Sequence, residues 1–339
     1  LGNDSVATPR LARAWNAGTG LGPRIILSGF VDGPGPFSSP VGSRAATEAE
    51  ARAAVAWYAD HGYEHIKMYS SLDPRLVPVI ADEAHRRGMR VSGHVPEGMR
   101  AQDVVRAGYD ELQHVNMLVL NFLPDSLDTR TPQRFVGPGQ QAVALDLSSA
   151  AVRGFVALLK ERGTVVDPTL ATFEGMFIGR EGEMSPTYAA VADRMPPNVR
   201  RGFLTGGLPV PEGMDQRYRD SYRRMMELVK LLYDAGVTIV PGTDAMAGFA
   251  LHRELELYAD AGIPAPDVLR LATLGAARVA RRADRLGSIT PGKLADVILV
   301  DGDPARRISD IRRVELVIKD GVIYRPNELY EAFGVMPMK

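Results

Sequence analysis

Apolar residues along this chain alternate between short runs and stretches of helical period. The run Ile25-Ile26-Leu27, between Gly-Pro punctuation and a Gly-rich loop, predicts a strand over 24–28. Further strands are predicted over 65–69, 90–94, 111–115, 164–167 and 237–240. Helical periodicity covers 48–61, 74–87, 101–107, 148–162, 215–235, 252–261 and 265–281. Gly62, Gly88, Gly108, Gly163 and Gly236 mark several of these helix ends, where a glycine reaches the left-handed conformation without steric cost. A helix is also predicted near the start, with Thr8 as cap and Pro9 at its first position. A long Gly-, Pro- and Met-rich segment fills 170–214.

Strands alternating with helices predict βα units around a parallel sheet. The six predicted strands fall short of the eight that close a (β/α)₈ barrel. Either the sheet is open or two strands precede residue 1. Residue 1 is Leu, and an upstream portion is expected. The first unit lacks a G-x-G-x-x-G turn, which argues against a dinucleotide-binding sheet. The tail changes character. A strand at 295–300 and a hairpin at 314–323 around Asp320-Gly321 form a β unit too small to hold a core alone. The expected organisation is a barrel portion over 1–283, a small β-sandwich portion over 284–325 and a tail over 326–339.

Composition narrows the function classes. Forty Lys+Arg against 41 Asp+Glu leave a net charge of −1, so no basic footprint for nucleic acid exists. No apolar run reaches the ~18 residues of a membrane helix. The absence of Cys excludes a disulfide scaffold, a thiolate metal site and a Cys nucleophile, but fixes no compartment.

In a parallel barrel the reactive groups sit at the C-terminal strand ends. Lys67, one of six lysines, lies between Ile66 and Met68. It fits a snorkelling surface lysine, a lysine carboxylated by CO₂ that bridges metals, or a Schiff-base amine. His94 and His114 end successive strands. Each alone suits a hydrogen-bonded core position, and together they suit a zinc-like ion. Asp244, after Pro241-Gly242-Thr243, fits either a helix cap or a metal-bound carboxylate that moves protons. Tyr69, two residues beyond Lys67, shares its side of the strand and is a candidate donor to a substrate oxygen, or a packed aromatic. His252 and Arg253 are candidate substrate contacts or helix-start residues. The segment from Thr172 to Met176, with Phe177, is a candidate apolar lid. His61, His65 and His85 read as surface residues.

The set Ile66-Lys67-Met68-Tyr69, Ser92-Gly93-His94, Leu112-Gln113-His114 and Pro241-Gly242-Thr243-Asp244 resembles the metal-dependent amidohydrolase superfamily. The tail Gly287-Ser288-Ile289 with Pro291-Gly292-Lys293-Leu294-Ala295-Asp296 is similar to its C-terminal β signature. The nearest branch is imidazolonepropionase-like and prolidase-like, including ochratoxin-hydrolysing amidohydrolases. The resemblance covers nearly the whole chain. It implies a TIM-type barrel with a composite β-sandwich and two divalent ions, commonly zinc. Carboxylated Lys67 would bridge the ions, and His94 and His114 would hold the second. Asp244 would hold the first and act as proton shuttle. The family also uses a His-x-His pair on its first strand, which these 339 residues lack and an upstream segment would supply.

The implied reaction is cleavage of an amide or peptide bond in a dipeptide or N-acyl amino acid, by a homo-oligomer. Lactone or cyclic-amide hydrolysis is the near alternative. A metal-free lyase using Lys67 as Schiff-base amine, and a non-catalytic fragment, are alternatives of other classes.

Overall fold

A computed structural model describes residues 7–124 and 127–338. The chain divides into two compact units, one of residues 1–141 with 145–167, the other of 142–144 with 168–339.

The first unit is built on six parallel strands: β1 (Ser28–Asp32), β2 (Ser43–Arg44), β3 (His65–Met68), β4 (Arg90–Gly93), β5 (Glu111–Gln113) and β6 (Val165–Asp167). Their order is β2-β1-β3-β4-β5-β6. Helices separate them at Glu48–Asp60, Val77–Arg86, Ala101–Arg106, Val115–Leu120 and Ala150–Arg162. The helix at Glu48–Asp60 starts on a capping box, Thr47 Oγ1 accepting from the Glu50 amide while Glu50 accepts from the Thr47 amide. The helix at Ala150–Arg162 is capped by Ser149 and ends on Gly163 at φ +63°. Strand residues Val31, Ile66, Met68, Val91, Leu112 and Val166 are buried, as are helix residues Val55, Tyr58, Ile80 and Ala84.

The parallel α/β architecture stands, with local corrections. The first strand runs over Ser28–Asp32 rather than 24–28, and a two-residue β2 was not anticipated. The run at 237–240 contributes only a single bridge residue, Ile239. Thr8 and Pro9 lie inside the helix Ala7–Asn16, not at its cap. The opening residues 1–6 lie outside the described residues.

The second unit is mainly helical. Its longest helix, Asp215–Asp234, buries Tyr218, Tyr222, Met225, Leu228, Val229 and Leu232, a helical stripe. The 170–214 segment is largely ordered, holding helices at Leu170–Ile178 and Pro197–Gly202. The predicted helix over 265–281 is present over Ala265–Val279, with a π-helical turn at Leu271–Gly275 within it. Strands β7 (Val297–Val300), β8 (Val314–Lys319) and β9 (Val322–Tyr324) form a separate antiparallel sheet. Asp320 (φ +55°) and Gly321 (φ +81°) make the β8–β9 turn, whose twist requires positive φ at both positions. Ile298, Leu299, Val322 and Ile323 are exposed on this sheet. Among the described residues no helix is long and apolar enough to cross a membrane.

Candidate active site

Strand register lays out the polar groups of the first unit. Lys67 is paired with Ser92, and Ser92 with Glu111. Paired residues of a parallel sheet point to one side, so Lys67, Ser92 and Glu111 form one row. Tyr69, His94 and Gln113 lie two residues further along β3, β4 and β5 or at their ends, on the same side. All three residues of the first row are buried.

His94 leaves β4 directly after Gly93, whose φ is +136°. Its amide donates to the Met68 carbonyl (3.0 Å), and Tyr109 Oη donates to its own carbonyl (2.9 Å). Nδ1 lies 3.2 Å from Ser70 Oγ. The ring packs on Tyr69 with centroids 4.0 Å apart.

His114 does not occupy the place equivalent to His94, because Gly93 is paired with Leu112 and the position beside His94 is Gln113. Regular alternation would send the His114 side chain to the helix side of the sheet. Instead the chain turns at His114 with φ +72°, its amide donating to the Asp167 carbonyl at 2.7 Å. That turn carries the imidazole round to His94, edge to face, with centroids 4.7 Å apart.

Burial holds both imidazoles well below their ordinary pKa, and the charges of Lys67 and Arg134 push the same way. Each is therefore a neutral ring at pH 7, the form that ligates metals. Glu111 is the reverse case. Burial raises its carboxyl, against the pull of a Gln113 hydrogen bond (3.1 Å), Arg90 and Lys67. Sequence reasoning missed Glu111 and Gln113. The signal was present in polar residues at alternate positions of a strand buried on both sides.

Asp244 belongs to the second unit. Its φ is +44°, and Thr172 Oγ1 donates to the carbonyls of Thr243 (2.6 Å) and Asp244 (3.1 Å). It borders a cavity of about 250 Å³ lined also by Thr172, Met176, Tyr188 and Phe203. Tyr188 and Phe203 stack with centroids 4.3 Å apart. The candidate lid is helical. Met176 reaches the cavity, while Phe177 is fully buried beside Phe173.

Arg253 is engaged by Glu174 (2.6 Å), Glu256 (3.2 Å) and Asp260 (3.4 Å), an ion-pair network within the unit. His252 has its pKa lowered to about 4 by burial and by the charge of Arg312.

Among the described residues no group of three His, Asp or Glu side chains stands ready to hold a metal. The donor chemistry of the first unit nevertheless fits one divalent ion. It offers two adjacent neutral imidazoles, with a buried lysine in the row beneath.

The chain resembles a Xaa-Pro dipeptidase with methionine bound in its active site (23% identity, 96% of this chain and 74% of that one, TM-score 0.64). It also resembles bottromycin amidohydrolase (21%, 96% and 70%, TM-score 0.68) and A. niger ochratoxinase (20%, 94% and 69%, TM-score 0.64). At these identities the likeness establishes the fold, and this chain spans 69–74% of the length of these neighbours. A 5-methylthioadenosine/S-adenosylhomocysteine deaminase of Syntrophobacter fumaroxidans is 34% identical over 88 residues, a match spanning 22% of this chain and 19% of that protein. Residues 3–324 match the amidohydrolase family, and the chain belongs to that family.

Proposed function

We propose that this chain is a metal-dependent hydrolase that cleaves the amide or peptide bond of a dipeptide or N-acyl amino acid, ochratoxin-type amides included. The observation that carries this reading is the edge-to-face pair of buried, neutral His94 and His114 in the same unit as buried Lys67. The names of the structural neighbours, a Xaa-Pro dipeptidase, a bottromycin amidohydrolase and an ochratoxinase, support the substrate class.

In this reading His94 and His114 would hold one divalent ion, zinc in the common case. Lys67 joins the set after its neutral amine adds to CO₂ and loses a proton, leaving a carbamate. Asp244 would ligate a second such ion. Bound divalent ions lower the pKa of coordinated water to about 7, so hydroxide is available at neutral pH. Asp244 takes the proton released in the attack and returns it to the departing amine, a transfer typically worth ~10²–10⁴-fold. Tyr69, braced against His94, donates its hydroxyl to the substrate carbonyl or carboxylate. The cavity beside Asp244 receives an apolar side chain. His252 and Arg253 are further candidate substrate contacts, the Arg253 guanidinium being paired with three carboxylates.

The test combines composition with turnover. Protein purified without chelators is expected to carry about one to two divalent ions per chain by elemental analysis. It should hydrolyse members of an N-acyl amino acid and dipeptide panel. Asp244→Asn should lower kcat by ~10²–10⁴-fold. Near-normal kcat in that variant removes the shuttle role, and metal-free protein removes the metal reading. Turnover confined to lactones or cyclic amides would move the assignment to that class.

A further inference from the structure

A second cation, besides Lys67, belongs to the surroundings of the imidazole pair. Arg134 sits, half-buried, in the first turn of the helix Gln133–Gln141. Its carbonyl accepts from Asn116 Nδ2 at 3.0 Å, and Asn116 is a fully buried residue two positions after His114. Nη1 donates to the carbonyls of Thr129 and Arg130, both at 3.4 Å. The guanidinium carbon lies 4.7 Å from the Phe135 ring centroid and 5.8 Å from that of Tyr69, the ring that packs on His94. Its charge reaches both histidines, where it disfavours protonation.

What this guanidinium lacks is an acid. Among the described residues no carboxylate lies within 4 Å of it, and its Nε is buried without a hydrogen bond. Arg253 and Arg312 of the second unit are each paired with glutamate. A guanidinium held by two aromatic faces and two carbonyls has already lost most of its side-chain freedom. It therefore binds a planar two-oxygen anion with little further ordering.

We infer that Arg134 binds the free carboxylate of the substrate through its guanidinium. That this anion is the C-terminal carboxylate of a dipeptide or N-acyl amino acid rests on the amide-hydrolase reading. Arg134 thereby makes the enzyme select acids over their neutral amides.

The experiment is calorimetric titration with N-acetyl-L-leucine and, separately, N-acetyl-L-leucinamide, which differ only in the charged end. Metal-loaded wild-type protein should bind the acid ~10–100-fold more tightly than the amide, the range expected for charge-assisted hydrogen bonds. Arg134→Gln should bring the acid to the affinity of the amide. Arg134→Lys, which keeps the charge and loses the fork, should fall between. Circular dichroism and Tm verify that both variants fold. Equal binding of acid and amide by wild-type protein, binding of neither, or an acid preference that survives Arg134→Gln in the folded variant would each overturn the proposal. Hydrolysis is scored separately. Acid preference without turnover leaves the anion site standing and removes the hydrolase reading, whereas turnover without acid preference does the opposite.

Discussion

Gly93 stands at the end of β4 with a φ of +136°, and a Cβ there would lie 2.1 Å from the Met68 carbonyl oxygen. That oxygen accepts the amide of His94, so the close approach of β3 and β4 is what fixes the imidazole in place. Gly93→Ala is expected to destabilise the protein by about 2–5 kcal/mol, combining backbone strain with overpacking, and to displace His94. Urea unfolding of the variant measures the first effect. A midpoint unchanged from wild type would contradict the contact. The neighbouring His114 is strained the opposite way, a non-glycine residue held at positive φ. Sequence alone identified both histidines at strand ends but placed them at equivalent positions. The one-residue offset between them, and the turn that cancels it, arise from pairing between strands, which no local pattern encodes.

At the scale of elements, the helix Leu170–Ile178 begins without a cap from its own sequence. Glu254, fully buried on the helix Ala250–Asp260, replaces it by accepting the amides of Leu170 (2.9 Å) and Ala171 (2.6 Å). Burial raises this carboxyl from 4.5 to about 8, although both amides favour the charged form. A raised carboxyl means that the folded state binds the proton more tightly than the unfolded chain. Stability is therefore lost as pH rises from about 4.5 toward 8. The depressed histidines act in the other direction, losing stability as pH falls below about 6.5, so between pH 7 and 8 the raised carboxyls, Glu254 and Glu111, set the slope. Stability should fall there by up to about 1.4 kcal/mol per pH unit for each carboxyl, and Glu254→Gln should flatten the slope. Denaturant melts at pH 7.0, 7.5 and 8.0 measure it, and an equal slope in both proteins would exclude Glu254 as its source. This cap was invisible in the sequence, where its two partners are more than eighty positions apart. The start of β1 was misread for a local reason. Gly29 disfavoured a strand in the pattern, yet the Tyr58 ring occupies the space where a side chain at Gly29 would sit.

At the scale of the whole chain, most alternation of strand and helix was legible because both faces of a parallel sheet are covered, which forces continuous apolar runs. The β8–β9 hairpin was legible for a different reason, since Asp-Gly dictates its own turn. The antiparallel sheet also has a colloidal consequence. Its outer strands β7 and β9 are edges, with Ile298, Leu299, Val322 and Ile323 exposed along the sheet. The chain carries a formal charge of −1 and a pI near 6.7, so little electrostatic repulsion opposes contact between sheets of different molecules near neutral pH. Solubility should pass through a minimum close to pH 6.7, and the double substitution Leu299→Lys, Ile323→Lys should raise it there. Light scattering across pH would reveal the minimum, and scattering unchanged by the two lysines would clear the sheet of responsibility. Storage conditions for this protein thus follow from its smallest sheet: dilute, and buffered away from the pH at which the molecules cease to repel one another.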